Sequence, residues 1–161
     1  MHYWGNLPVS QEEPSNAILV LLVEDNPIDV RLIRYALREE QTWNTETVVA
    51  NDGEKAINYL IEAASDAGKK PDLIILDLNL PKRDGTEVLQ LVRSHPDLRL
   101  MPVIVLSSSP EDVIRQMVRT AKVEANCYCT KPVGADEFLA LGHKLRRCYE
   151  KALKEMQTAA G

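Results

Sequence analysis

Five short apolar runs, each about as long as one β-strand, constrain this chain more than any other feature. They are Ile18–Val23, 45–49, Leu73–Leu76, 103–106 and 125–129, and segments with helical spacing of apolar residues separate them. Strands buried on both faces read as continuous hydrophobic runs, because helices cover the sheet above and below. Five repeats of strand then helix predict a doubly wound α/β domain with a five-stranded parallel sheet, right-handed crossovers and helices on both faces.

The intervening segments carry helix signals. Asn26-Pro27 supplies a cap and a first-turn proline, and Val30, Ile33 and Leu37 follow at helical spacing. A second helix follows Asn51-Asp52-Gly53 and is expected to turn Ala56, Ile57, Leu60 and Ile61 inward. A third runs from about Gly85 with Val88, Leu89 and Val92, and a fourth from Pro110 with Val113, Ile114, Met117 and Val118. The last begins near Ala135 and extends to Met156. The polar stretch 65–70 reads as a surface loop. Residues 1–16, which lack the charged-then-apolar order of a secretory signal, read as a flexible arm. The domain is expected over 17–150, with 151–161 as an extension of the last helix and a tail.

Composition narrows the classes of function. A chain of 161 residues suits one domain. A net charge of −5 argues against binding nucleic acid through a basic footprint. The apolar runs fall far short of the roughly 20 residues of a membrane helix, so no membrane is expected. Cys127, Cys129 and Cys148 make an odd count with no CxxC pair, which argues against a disulfide framework and suits a reducing cytoplasm. Cys127-x-Cys129 reads as packing ahead of metal binding.

In doubly wound sheets, chemistry collects beyond the carboxyl ends of the strands. The first run ends in Glu24 and Asp25, the third in Asp77, the fourth in Ser107, and the fifth leads to Lys131. Taken singly, Asp77 is a turn former, Ser107 a loop hydroxyl and Lys131 a solvated cation. Together they bring three carboxylates, a hydroxyl and an ammonium to one edge. Three neighbouring acids repel unless one keeps its proton or a cation intervenes. Mg2+, or Mn2+ in its place, takes such oxygen ligands and is often completed by phosphate. The set therefore reads as a metal-assisted phosphoryl site. Asp77, at the middle of the strand ends, is the candidate nucleophile, Lys131 the counter-cation and Ser107 a donor to a phosphoryl oxygen.

The segments LLVEDNPIDV, DLIILDLNLPKRDG, MPVIVLSSS and CYCTKPV resemble the receiver domains of two-component response regulators, the CheY-like family, over about residues 17–148. The resemblance implies the sheet order 2-1-3-4-5 and gives each residue a role. Asp25 would be a direct metal ligand and Glu24 a ligand through water, with Asp77 the phosphoacceptor and a further ligand beside the main-chain carbonyl of Asn79. Ser107 matches the switch hydroxyl, Tyr128 the switch aromatic, and Lys131 the phosphate-binding lysine, joined to Pro132 by a cis bond. The gap before Asp77 is longer than in minimal receivers, which the segment 63–71 would accommodate. Asn79 and Ser109 fall where side chains affect hydrolysis in the family. EDNPIDVRLIRYAL and DLNLPKRDG are similar to stand-alone receivers of bacterial, notably cyanobacterial, phytochrome histidine kinases, so the implied partner is a sensor histidine kinase of that kind.

The segment after Lys131 is too short for an effector domain once the fifth helix is built, so output is expected through a partner or through self-association. Phe138, Leu141, Leu145, Cys148, Ala152 and Met156 form a stripe, widened by Tyr149 and Leu153, that reads as a seam for a homodimer. A rival reading is a flavodoxin-like binder or an aspartyl-phosphate hydrolase on the same architecture. The first should carry a Gly-rich phosphate loop where EDNPID stands. The second should carry a further acid or base and a pocket cap, and neither is visible.

Overall fold

The structure is a computed structural model that describes residues 16–66 and 70–160. The elements alternate as expected: β1 (Ile18–Val23), α1 (Pro27–Glu39), β2 (Thr45–Ala50), α2 (Gly53–Ala64), β3 (Leu73–Leu76), α3 (Gly85–Ser94), β4 (Val103–Ser107), α4 (Glu111–Thr120), β5 (Cys127–Thr130) and α5 (Ala135–Ala160). All strand pairs are parallel, in the order β2-β1-β3-β4-β5. Residues 1–15 of the arm expected over 1–16 and the middle of the 65–70 loop, residues 67–69, lie outside the described residues.

Alternation of side chains along each strand sorts the core into two layers. Leu21, Val23, Ile74, Leu76, Val103 and Val105 pack with residues of α2, α3 and α4. Val20, Leu22, Leu73, Ile75, Ile104 and Leu106 pack with α1 and α5 on the opposite face. β1, β3 and β4 are therefore covered on both sides, which is why they read as unbroken apolar runs. Ile61, expected inward, is 50% exposed, and Val113, one of the apolar residues of the fourth helix, is 44% exposed, because the buried stripes of α2 and α4 are narrower than their apolar content suggested.

Caps set where the helices begin. The Asn26 side chain accepts from the N–H groups of Ile28 and Asp29, Asp52 accepts from Lys55, and Asp84 forms a reciprocal capping box with Glu87. α1 and α5 approach so closely at Gly142 that a Cβ there would lie 2.3 Å from the Ala36 carbonyl oxygen. Only glycine permits that crossing.

Three expectations are corrected. The stripe on α5 reads from sequence as surplus for a dimer, but Phe138, Leu141, Leu145, Cys148, Tyr149 and Ala152 are all buried in the chain's own structure. Only Leu153 and Met156 remain half-buried on its extension. The Lys131–Pro132 bond is trans, the isomer that X–Pro bonds favour modestly when nothing enforces cis. The cysteines are not all free thiols: Cys127 on β5 and Cys148 on α5 form a disulfide with Cα atoms 6.0 Å apart, leaving Cys129 buried and free. All three sulfurs lie within 4.8 Å of one another. An odd count and the lack of CxxC concealed a pairing that the packing of α5 on β5 creates.

The disulfide joins positions separated by 21 residues, a loop for which chain entropy contributes about 3 kcal/mol. Intact mass under non-reducing conditions should be two hydrogens below the fully reduced value. Reductant should lower the stability measured by denaturant unfolding by about that amount, and Cys148→Ala should abolish the dependence on reductant.

Candidate functional site

The backbone ladders continue past the strand ends and hold the polar residues in place. The N–H of Glu24 donates to the Ala50 carbonyl, that of Asp77 to Val23, and that of Lys131 to Ser107, at 3.1, 3.0 and 2.7 Å. Glu24 and Asp77 thus leave strands paired on both sides, and Lys131 leaves the edge strand β5, which pairs with β4. Their positions are set by the sheet, not by loop conformation.

At this edge the Lys131 ammonium meets three carboxylates. Its Nζ lies 2.6 Å from Glu24 Oε2, 2.9 Å from Asp77 Oδ2 and 3.0 Å from Asp29 Oδ2. The Lys131 side chain is only 7% exposed and that of Glu24 1%. Glu24 Oε1 also accepts from the Asn26 N–H, and Asp77 Oδ1 from the Asn79 N–H. Asp25 stands beside them but is exposed. Carboxylate oxygens of Glu24, Asp25 and Asp77 come within 4.8 Å of one another. This all-oxygen set, with one open side, fits a hard divalent cation such as Mg2+ or Mn2+.

The ionisation of the pair follows from burial. Burial pushes the Glu24 carboxyl up to about 7; hydrogen bonds from Lys131 and Asn26 oppose the rise and the charge of Asp77 adds to it. Burial would lower Lys131, yet its hydrogen bonds with Glu24 and Asp77 outweigh that and hold the ammonium above the ordinary lysine value. One cation cannot satisfy three anions, so Lys131 stays charged while the most buried acid carries the strain.

Ser107 is buried, and its Oγ accepts from the Ser109 N–H at 3.3 Å and from the Asn79 amide at 3.4 Å. The Asn79 amide also reaches the Ser109 hydroxyl at 3.5 Å, so the two side chains expected near the hydrolysis step share one network with Ser107. Behind Asp77, a Cβ on Gly85 would lie 2.4 Å from the Asp77 carbonyl oxygen, so α3 packs directly against the Asp77 backbone. Tyr128 faces elsewhere. Its hydroxyl accepts from the Ala125 N–H at 2.9 Å, the Arg115 guanidinium lies 4.5 Å over its ring, and it lines a groove of about 1120 Å3 between α4, β5 and α5.

Sequence reasoning missed Asp29. Its signal was present as an acid in the first turn of α1, four residues after Asp25, but its contact with Lys131 spans 102 positions of sequence. Nothing in the local pattern points across that distance.

Residues 20–141 match the model of the response regulator receiver domain. The chain belongs to the response regulator receiver family. Response regulator Rcp1 of Synechocystis is 36% identical over 121 residues, which cover 74% of this chain and 80% of that protein. Among solved structures, the phosphorylated cyanobacterial phytochrome response regulator RcpA superposes with a TM-score of 0.71 at 37% identity, over 83% of this chain and 94% of RcpA. The Mn2+-bound form of Rcp1 gives 0.67 at 34% identity, over 79% and 90% of the two chains. The chain is thus a receiver of two-component signalling with phytochrome-associated relatives. Among the described residues, no helix is long and apolar enough to cross a membrane.

The raised Glu24 sets a pH dependence in metal-free protein. The folded chain keeps its proton up to about pH 7 while the unfolded chain releases it near the ordinary glutamate value of 4.5, so stability falls as pH rises across that window. Between pH 5 and pH 7.5 the loss should be about 2 kcal/mol. Denaturant unfolding in chelator at pH 5 and pH 7.5 should show this decline in wild type, and Glu24→Gln should flatten it.

Proposed function

We propose that this receiver accepts a phosphoryl group from a sensor histidine kinase onto Asp77. The observation that carries the reading is the sharing of the Asp77 carboxylate by the Lys131 ammonium within one oxygen cluster that also holds Glu24 and Asp25. The nitrogen–phosphorus bond of a phosphohistidine breaks as an Asp77 oxygen–phosphorus bond forms, and the departing imidazole keeps the electron pair. A bound Mg2+ or Mn2+ supplies charge neutralisation at the transferring oxygens. Asp25 and Asp77 would hold the cation directly, Glu24 through water, and the Asn79 carbonyl would complete the protein's ligands.

Lys131 neutralises phosphoryl charge from the other side, and the Ser107 hydroxyl donates to a phosphoryl oxygen. Movement of Ser107 would be felt at Tyr128, because β4 and β5 pair Ser107 with Thr130 and Val105 with Tyr128. The switch reading of Tyr128 rests on that register. The chain is a signalling acceptor that assists its own phosphorylation and dephosphorylation, not a turnover enzyme. The kinase is of the bacterial phytochrome kind, the pathway cytoplasmic, and output runs through partner binding or a homodimer. Support for the dimer narrows to Leu153 and Met156 on the α5 extension.

The test is intact mass after incubation with acetyl phosphate and Mg2+. Wild type should gain one phosphoryl group, Asp77→Asn none, and chelator should prevent the gain. An undiminished gain in Asp77→Asn would remove Asp77 from the role. In sedimentation, Leu153→Glu combined with Met156→Glu should weaken any dimer and leave phosphorylation unchanged.

A further inference from the structure

Lys131 offers three N–H donors, and the structure gives each a carboxylate. Two of the three acceptors, Glu24 and Asp77, also belong to the oxygen cluster suited to a cation, whereas Asp29 does not. Asp29 comes from a different element, the first turn of α1. The Asn26 cap and the proline at its start fix the backbone of that turn. Its side chain is 24% exposed, against 7% for Lys131. Asp29 thus reaches the ammonium from the rim of the site, while Glu24 and Asp77 meet it from within.

These two kinds of acceptor have different fates. If Asp77 takes a phosphoryl group and Glu24 turns to a cation, Lys131 gives up two of its three partners. A lysine on a four-carbon stem carries considerable rotamer freedom, so losing its partners would release it to other directions. Asp29 is the acceptor left in place. It occupies one N–H and leaves two for phosphoryl oxygens. Its own negative charge opposes an incoming phosphoryl group, but from the more solvent-exposed rim, where screening is stronger.

We propose that Asp29 is a positioning residue that keeps the Lys131 ammonium aimed at the phosphoryl group carried by Asp77. The inference rests on the phosphoacceptor reading of Asp77 and adds a residue outside the expected set. Asp29 acts only through Lys131. It touches neither the cation nor the transferred group.

The test compares wild type, Asp29→Asn, Asp29→Glu, Lys131→Ala and the Asp29→Asn/Lys131→Ala double variant. The probe is beryllium fluoride, a phosphoryl mimic, bound in the presence of Mn2+ and followed by fluorine NMR; Mn2+ affinity alone is measured by EPR. Asp29→Asn should weaken beryllium fluoride binding about tenfold, the scale of one hydrogen bond between charged groups, with Mn2+ affinity changed by less than about twofold. Asp29→Glu should recover most of the loss. In the Lys131→Ala background, Asp29→Asn should cost little more, since the residue through which it acts is gone.

Unchanged or tighter beryllium fluoride binding in Asp29→Asn would overturn the inference, as would a parallel fall in Mn2+ affinity or a full additional loss in the double variant. Each of these leaves the role of Asp77 standing. A folded wild-type protein that binds Mn2+ but no beryllium fluoride would overturn both.

Discussion

A single buried ammonium shared by three carboxylates organises the working edge of this protein. Lys131 follows β5, Glu24 and Asp77 follow β1 and β3, and Asp29 lies on α1, so one ion cluster ties four elements together. Removing one partner from a buried ion pair costs far more than the pair's net contribution, because the remaining charge is left uncompensated. Here the imbalance is built in: one ammonium serves three carboxyl groups, and burial pushes the innermost, Glu24, toward its protonated form. The cluster is therefore tolerable at rest and still short of positive charge, a condition that favours a hard divalent cation.

The sheet makes that cluster possible. β1, β3 and β4 are buried on both faces, and their hydrogen-bond ladders extend one residue past the last strand position into Glu24 and Asp77. Rigid backbone holds like charges together where flexible loops would let them separate. The helix caps serve the same end from the other side, since Asn26 and Asp84 begin α1 and α3 directly beside the acids. Gly85 lets α3 come within contact of the Asp77 carbonyl. The opposite end of β5 is tied to α5 by the Cys127–Cys148 disulfide and, through Asn126, to Arg93 and Glu155.

Much of this was legible in the chain. The five strands lie within two residues of the apolar runs that announce them; for β1, β3 and β4, two-sided burial leaves no polar face to blur the signal. The acids at the ends were legible for the same reason, since a charged residue directly after such a run must sit at the sheet's edge. Where reading failed, the failures share a cause. Ile61, Val113 and the stripe on α5 show that apolar spacing tells which residues share a helix face, not how wide a surface that face meets. α5 buries its stripe through Ala152 because it lies along α1 and the sheet, a fact of helix placement.

Local chemistry along the sequence determined the alternation of elements, the sheet's burial, and the identity of Glu24, Asp25, Asp77, Ser107 and Lys131 as strand-end groups. Tertiary structure alone decided that Asp29 joins Lys131, that Cys127 pairs with Cys148 while Cys129 does not, and that the last helix is spent on the core. The division has a physical reason. Strand ends are set by short-range hydrophobic patterning, whereas contacts such as Lys131 with Asp29 depend on how whole helices dock against the sheet.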